Sequence, residues 1–155
     1  MMLYFAYGCR TKPERMLEEC PNAKPVGIHK IDGFRLVFEG TASGYGYKGV
    51  ANIKRDPNSS VWGVMWEVSE DELPALDADE GVGSEYDIEI HSDYERVYFK
   101  LPDGRPFFLY YLVHPHVPNR PSMEYYMDIL EGYEHFGIDT TQVKQAYRAT
   151  MRKHH

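Results

Sequence analysis

The stretch Leu3-Tyr4-Phe5-Ala6-Tyr7-Gly8-Cys9-Arg10 constrains the fold more than any other part of the chain. An apolar and aromatic run ends at Tyr7, a glycine follows at once, and Thr11-Lys12-Pro13-Glu14 supplies a helix start. Thr11 is the expected N-cap, Pro13 falls in the first turn, and Glu14 at the third helical position would close a capping box. A strand is therefore expected to run through a tight turn into a helix N-terminus. Such a turn presents backbone N–H groups and the positive end of a helix dipole, which suits a carboxylate or a developing oxyanion. On geometry alone the same stretch reads as an ordinary first strand and turn.

Beyond it, strands dominate the middle of the chain and helices stand at the flanks. Phe34, Leu36 and Phe38 alternate within Lys24 to Phe38 as a half-buried strand does. Ala42 to Tyr47 is rich in Gly and Ser and reads as a loop. Val50 to Ile53 and Val61 to Val68 read as two strands separated by a turn at Asp56-Pro57-Asn58. Ser69-Glu70-Asp71-Glu72 is a second capping box opening a helix that Pro74 keeps short or kinked. Tyr86 to Ile90, Arg96 to Leu101 and Pro106 to Val113 continue as strands, with Asp103-Gly104 turning between the last two. Ser122 caps a helix reaching Phe136, with Tyr126, Leu130 and Tyr133 on one face and Gly137 as its stop, and a last helix covers Gln142 to Met151. This order predicts a single α+β domain over residues 1–155. Its sheet is expected to be closed or nearly closed, because closure removes exposed edges.

The chain has 155 residues, enough to bury a real core. Seventeen basic against 24 acidic side chains give a net charge of -7, which argues against nucleic acid and anionic membranes as partners. No apolar run approaches a membrane span, and the first residues lack the pattern of a secretory signal. Cys9 and Cys20 are too few for a disulfide scaffold and lack metal-ligand spacing, so a reduced, cytoplasmic setting is expected. His154-His155 reads as a tag remnant and is left out of any site.

Four motifs in order carry a resemblance. They are Tyr4-Phe5-Ala6-Tyr7-Gly8, Val61-Trp62-Gly63-Val64-Met65-Trp66, Leu76-Asp77-Ala78-Asp79-Glu80-Gly81-Val82, and Pro121-Ser122-Met123-Glu124-Tyr125 with Gly132 seven residues on. Their order and spacing over residues 3 to about 138 resemble the gamma-glutamylcyclotransferase-like family. The resemblance implies a small mixed β-barrel with helices packed outside. It also implies an enzyme that cyclises a small-molecule γ-glutamyl amide to 5-oxoproline without metal or organic cofactor. Glu80 takes the family's acid/base role, and substrate contact falls to Tyr4, Phe5, Ala6, Tyr7, Gly8, Cys9, Arg10 and Tyr125. Where the family usually continues Ser-Asn, or Ser-Leu in a sister branch, this chain has Cys9-Arg10. The leaving amine and the oligomeric state stay open.

The chemistry asks for such a group. At neutral pH the substrate's α-amino group is an ammonium, which cannot attack the γ-carbonyl until a base takes its proton, and the same acid can then protonate the leaving nitrogen. Gly81-Val82-Gly83 leaves room for close approach, although Asp77, Asp79, Glu80 and Glu85 also read as a solvated acidic loop. Two other readings stand beside this one: a non-catalytic binding module, and acyl transfer by a Cys9 thiolate. His114-Pro115-His116 lacks a third metal ligand at informative spacing, and Asp77-x-Asp79 does not continue as a calcium loop.

Overall fold

The computed structural model describes residues 1–42, 48–80, 94–112 and 117–151. In chain order the elements are β1 (Met2–Ala6), a 3-10 turn (Cys9–Thr11), α1 (Pro13–Glu19), β2 (Lys24–Ala42), β3 (Lys48–Val68), a second 3-10 turn (Glu70–Glu72) leading into α2 (Leu73–Glu80), β4 (Tyr94–Lys100), β5 (Pro106–Leu112), α3 (Met123–Phe136) and α4 (Thr141–Thr150). The expected loop beyond Ala42, the expected strand Tyr86 to Ile90, and the runs Gly81-Val82-Gly83, His114-Pro115-His116 and His154-His155 lie outside the described residues.

β1 is the middle strand of a five-stranded sheet ordered β2-β3-β1-β5-β4. It runs antiparallel to β3, with Tyr4 opposite Trp66 and Ala6 opposite Val64, and parallel to β5, with Tyr4 opposite Phe108. Tyr4, Phe5 and Ala6 are all buried, as befits a strand covered on both faces, and this is why its sequence is continuously apolar rather than alternating.

β2 and β3 form a long ribbon that outgrows β1, which reaches only Val64 to Val68 of β3. Here the structure corrects the sequence: Val50 to Ile53 and Val61 to Val68 belong to one strand. Asp56-Pro57-Asn58 is an irregularity within it, because the pairing jumps from Asp32 opposite Ser60 to Phe34 opposite Arg55. The Asp56 carboxylate holds the excursion together, accepting from the Asn58 amide (3.0 Å) and the Ser59 hydroxyl (2.9 Å). Gly33 opposite it has φ +85°, a conformation that favours glycine.

The distal end of the ribbon is sealed by residues 117–120. Asn119 N–H donates to Phe38 O (3.1 Å), Gly40 N–H to Val117 O (3.2 Å) and Gly49 N–H to Arg120 O (3.0 Å). A Cβ on Gly49 would lie 2.0 Å from Asn119 O, so only glycine permits this approach.

The α+β class is as expected, but the sheet does not close. Among the described residues β2 and β4 are its margins, and they meet through side chains, Phe34 against Phe99 at 6.0 Å between ring centroids. A cleft of about 540 Å³ opens along this seam. The reason is the distal half of the ribbon, which leaves the sheet instead of continuing the ladder with β1.

The helix signals are met in part. Ser69 and Glu72 form their capping box, and α2 is short. Ser122 Oγ accepts from Tyr125 N–H (3.1 Å), and Gly137 ends α3 with φ +74°. The buried stripe of α3 is Tyr125, Asp128, Ile129, Gly132 and Tyr133, one step round from that expected; Tyr126 and Leu130 are half-buried. The Thr11-Glu14 capping box is absent, because Lys12 is the N-cap of α1 and Thr11 closes the preceding 3-10 turn, its hydroxyl donating to Gly8 O (2.7 Å).

α3 lies directly on that turn. A Cβ on Gly132 would come within 2.2 Å of Thr11 Oγ1 and 2.5 Å of the Lys12 amide nitrogen. Gly132→Ala is therefore expected to lower stability by about 1–3 kcal/mol, the usual range for overpacking. Urea unfolding measures it, and an unchanged midpoint would contradict the close helix–turn contact.

Candidate active site

The turn after β1 is built by its own short hydrogen bonds. Thr11 N–H donates to Gly8 O (3.1 Å) and Lys12 N–H to Cys9 O (3.1 Å), folding Cys9 to Thr11 into one 3-10 turn. Tyr133 fastens it from α3, donating to Tyr7 O (2.8 Å). Burial drives the Tyr133 pKa well above the usual tyrosine range, so this donor keeps its proton throughout the physiological range. Beside it, Lys12 bridges Asp128 (3.0 Å) and Glu131 (2.9 Å), while Arg15 reaches Asp128 (2.7 Å). Hydrogen bonds to Glu131 and Asp128 raise the Lys12 pKa further above its ordinary value.

The predicted substrate contacts divide into two groups. Phe5 and Ala6 are core residues, and Tyr4 is buried with its ring stacked on Phe108 at 5.2 Å. Tyr7 is buried too, its hydroxyl donating to Tyr110 O. These four hold β1 and deliver the turn. Gly8, Cys9, Arg10 and Tyr125 gather where the turn meets the ribbon: a Cβ on Gly8 would lie 3.3 Å from Ala51 Cβ and 3.4 Å from Tyr125 Oη.

Ala51 is the hub of this meeting. Its N–H and C=O point away from β2, where among the described residues no strand pairs with it. Tyr125 Oη accepts from Ala51 N–H (3.0 Å), and the Tyr94 hydroxyl donates to Ala51 O. Next to it, Asn52 Oδ1 accepts from Leu112 N–H (2.8 Å), and Asn52 Nδ2 donates to the buried Glu39 (2.7 Å).

The last turn of α2, which ends at Glu80, comes to the same place. Asp79 forms an ion pair with Arg10, whose side chain is 8% exposed. Asp77 accepts from the Tyr110 hydroxyl and pairs with Arg96 on β4. Burial works to lower the Arg96 pKa, but Asp77, Tyr98 and Tyr110 outweigh it and raise the value. Tyr94, Tyr110, Asp77 and Arg96 were not singled out from the sequence as site residues. The tyrosines sit in strand-like runs that read equally as packing, and Asp77 within its motif gave no hint of partners on β4 and β5.

Cys9 is half-buried on the turn, and Cys20 is buried with its pKa pushed up to about 11 by desolvation, with Glu72 adding to the effect. His29 packs edge-on against Phe5 and Phe107, and His135 against Phe136. Among the described residues, no three His, Cys, Asp or Glu side chains gather as metal ligands, and no helix is long and apolar enough to cross a membrane.

Comparison with known proteins points one way. Residues 4–128 match the family described as Gamma-glutamyl cyclotransferase, AIG2-like. The gamma-glutamylcyclotransferases of Bos taurus and Homo sapiens are each 36% identical over 85 residues, covering 53% of this chain and 45% of theirs, so the chain spans less than half the length of these curated relatives. A solved gamma-glutamyl cyclotransferase superposes with a TM-score of 0.75 at 26% identity, over 94% of this chain and 85% of the other.

Removing the Tyr125 hydroxyl tests the geometry of the hub. Tyr125→Phe leaves a buried N–H at Ala51 without its acceptor and is expected to cost about 1–3 kcal/mol. Denaturant unfolding checks this, and a loss no larger than that of an exposed Tyr→Phe control would contradict it.

Proposed function

Because the chain belongs to the Gamma-glutamyl cyclotransferase, AIG2-like family, we propose that it cyclises a γ-glutamyl amide to 5-oxoproline, with Glu80 as general acid/base. The substrate's α-amino nitrogen attacks its own γ-carbonyl carbon, forming the lactam C–N bond as the original amide C–N bond breaks. Glu80 takes one proton from the ammonium before attack and hands it to the leaving nitrogen. The attacking nitrogen sheds its second proton as the neutral lactam forms, the departing amine takes up that proton to leave as its ammonium, and no group stays on the protein. Tethered attack needs mainly a folded substrate conformer, and this chemistry requires no metal or organic cofactor.

The observation that carries this reading is the Arg10–Asp79 ion pair, which brings the end of α2 to the turn after β1 across 69 residues of sequence. Backbone N–H groups around Gly8, Cys9 and Arg10 bind the substrate carboxylate or the oxyanion of the tetrahedral intermediate, where preorganised donors contribute most. Tyr4 to Tyr7 support that turn from β1, Tyr125 faces the substrate's polar head, and Arg10 stands at the border with α2. A cysteine in the family's serine position is compatible with binding through backbone amides. Its partner is a small-molecule γ-glutamyl substrate, met in a reduced, cytoplasmic setting, with neither nucleic acid nor membrane as partner.

The test is release of 5-oxoproline from a panel of γ-glutamyl-alanine, glutathione, a γ-glutamyl polyamine and Nε-γ-glutamyl-lysine. Glu80→Gln keeps the size and loses the titratable proton, so turnover is expected to fall by at least about 10²-fold with the fold intact. Near wild-type turnover in that variant would move the base elsewhere. Cys9→Ser is expected to keep or raise turnover, since it preserves the backbone donors. A large loss would instead make the Cys9 thiolate the reacting group.

A further inference from the structure

We infer that Arg10 is a positioning residue that fixes Glu80 by gripping Asp79, the residue before it on α2; the inference rests on the acid/base role proposed for Glu80. α2 has eight residues, and among its described side chains only Leu76 is fully buried, with Leu73 partly so. A helix this short is marginal by itself, and its C-terminal turn is the part most prone to fray. Apolar packing therefore gives that turn little purchase, and polar contacts hold it instead. Asp77 is fixed from the sheet by Arg96 and Tyr110, and Asp79 is fixed from the turn by Arg10.

The Arg10 link differs in kind from the other two. Arg10 belongs to the same 3-10 turn whose amides are proposed to hold the substrate, so one ion pair sets the distance between the anion donors and the proton-transfer group. Its side chain is nearly buried while that of Asp79 is half exposed, so the cation is the fixed member and the helix end is what it captures. A cation at a helix C-terminus also meets the negative end of the helix dipole, which adds to the hold. A guanidinium committed to Asp79 in this way serves the reaction through geometry rather than by binding the substrate's carboxylate. Loss of that geometry lowers the rate of the chemical step and leaves substrate binding by the turn in place.

Arg10→Gln, Asp79→Asn, the double variant and Arg10→Lys test this on two readouts. Amide hydrogen exchange over residues 77–80 is expected to quicken roughly tenfold in Arg10→Gln and in Asp79→Asn, with the double variant no faster and β1 and β3 unchanged. Arg10→Lys, which keeps the charge, is expected to retain most of the protection. On the panel substrate that the wild type turns over fastest, kcat is expected to fall about tenfold equally in both single variants and the double, with KM within about twofold. A raised KM in Arg10→Gln alone, with Asp79→Asn like wild type and exchange unaltered, would overturn the inference and make Arg10 a direct substrate ligand. If the wild type turns over nothing on the panel, the acid/base reading fails, and the exchange data alone then decide whether Arg10 holds the end of α2: unaltered exchange refutes it.

Discussion

Among the described residues no strand pairs with the outer edge of β3 at Ala51, and two tyrosine hydroxyls supply what a strand would. Tyr125 accepts from its N–H and Tyr94 donates to its C=O. A buried peptide left without partners costs free energy on the scale of a lost hydrogen bond or more, so these residues are held to one arrangement. Tyr125 comes from α3 and Tyr94 from the first position of β4, and satisfying Ala51 fixes where both elements stop relative to the ribbon. α3 then lies close enough to the turn after β1 that only glycine fits at 132. The gathering of the candidate site follows from this constraint.

Charge completes the arrangement. Lys12, Arg15 and Asp128 tie α3 to the turn and to α1, while Arg96 with Asp77 and Arg10 with Asp79 tie α2 to the sheet and to the turn. Ion pairs of this kind add little net stability when exposed, and when buried they repay a desolvation cost that an apolar pair would not incur. Their value here is positional. Each replaces a broad apolar contact with one defined geometry, which suits a helix as short as α2.

Much of the fold was legible because local chemistry and tertiary structure agree. The apolar run at Tyr4 to Tyr7, the Ser69 and Ser122 caps, the Asp103-Gly104 turn and the Gly137 stop all stand as read. The misreadings share a physical origin. Asp56-Pro57-Asn58 has the residues of a turn, yet the ribbon continues through it because Asp32 and Phe34 pair on either side. Thr11 has the residue type of an N-cap, but its hydroxyl is taken by Gly8 O one turn earlier. The motif order points to the turn, α2 and Tyr125 as candidates for one site. It could not reveal Ala51, whose role is carried by its backbone, nor that Arg10 and Asp79 are partners.

The central claim is that the turn after β1, Tyr125 and the end of α2 form one site for a γ-glutamyl group. A crystal structure with bound 5-oxoproline tests it most directly. The account predicts the product carboxylate against the backbone amides of Gly8 to Arg10, with the lactam ring between Tyr125 and the last turn of α2. Product seated instead in the seam between β2 and β4, or on the far side of the sheet from Gly8, would contradict it.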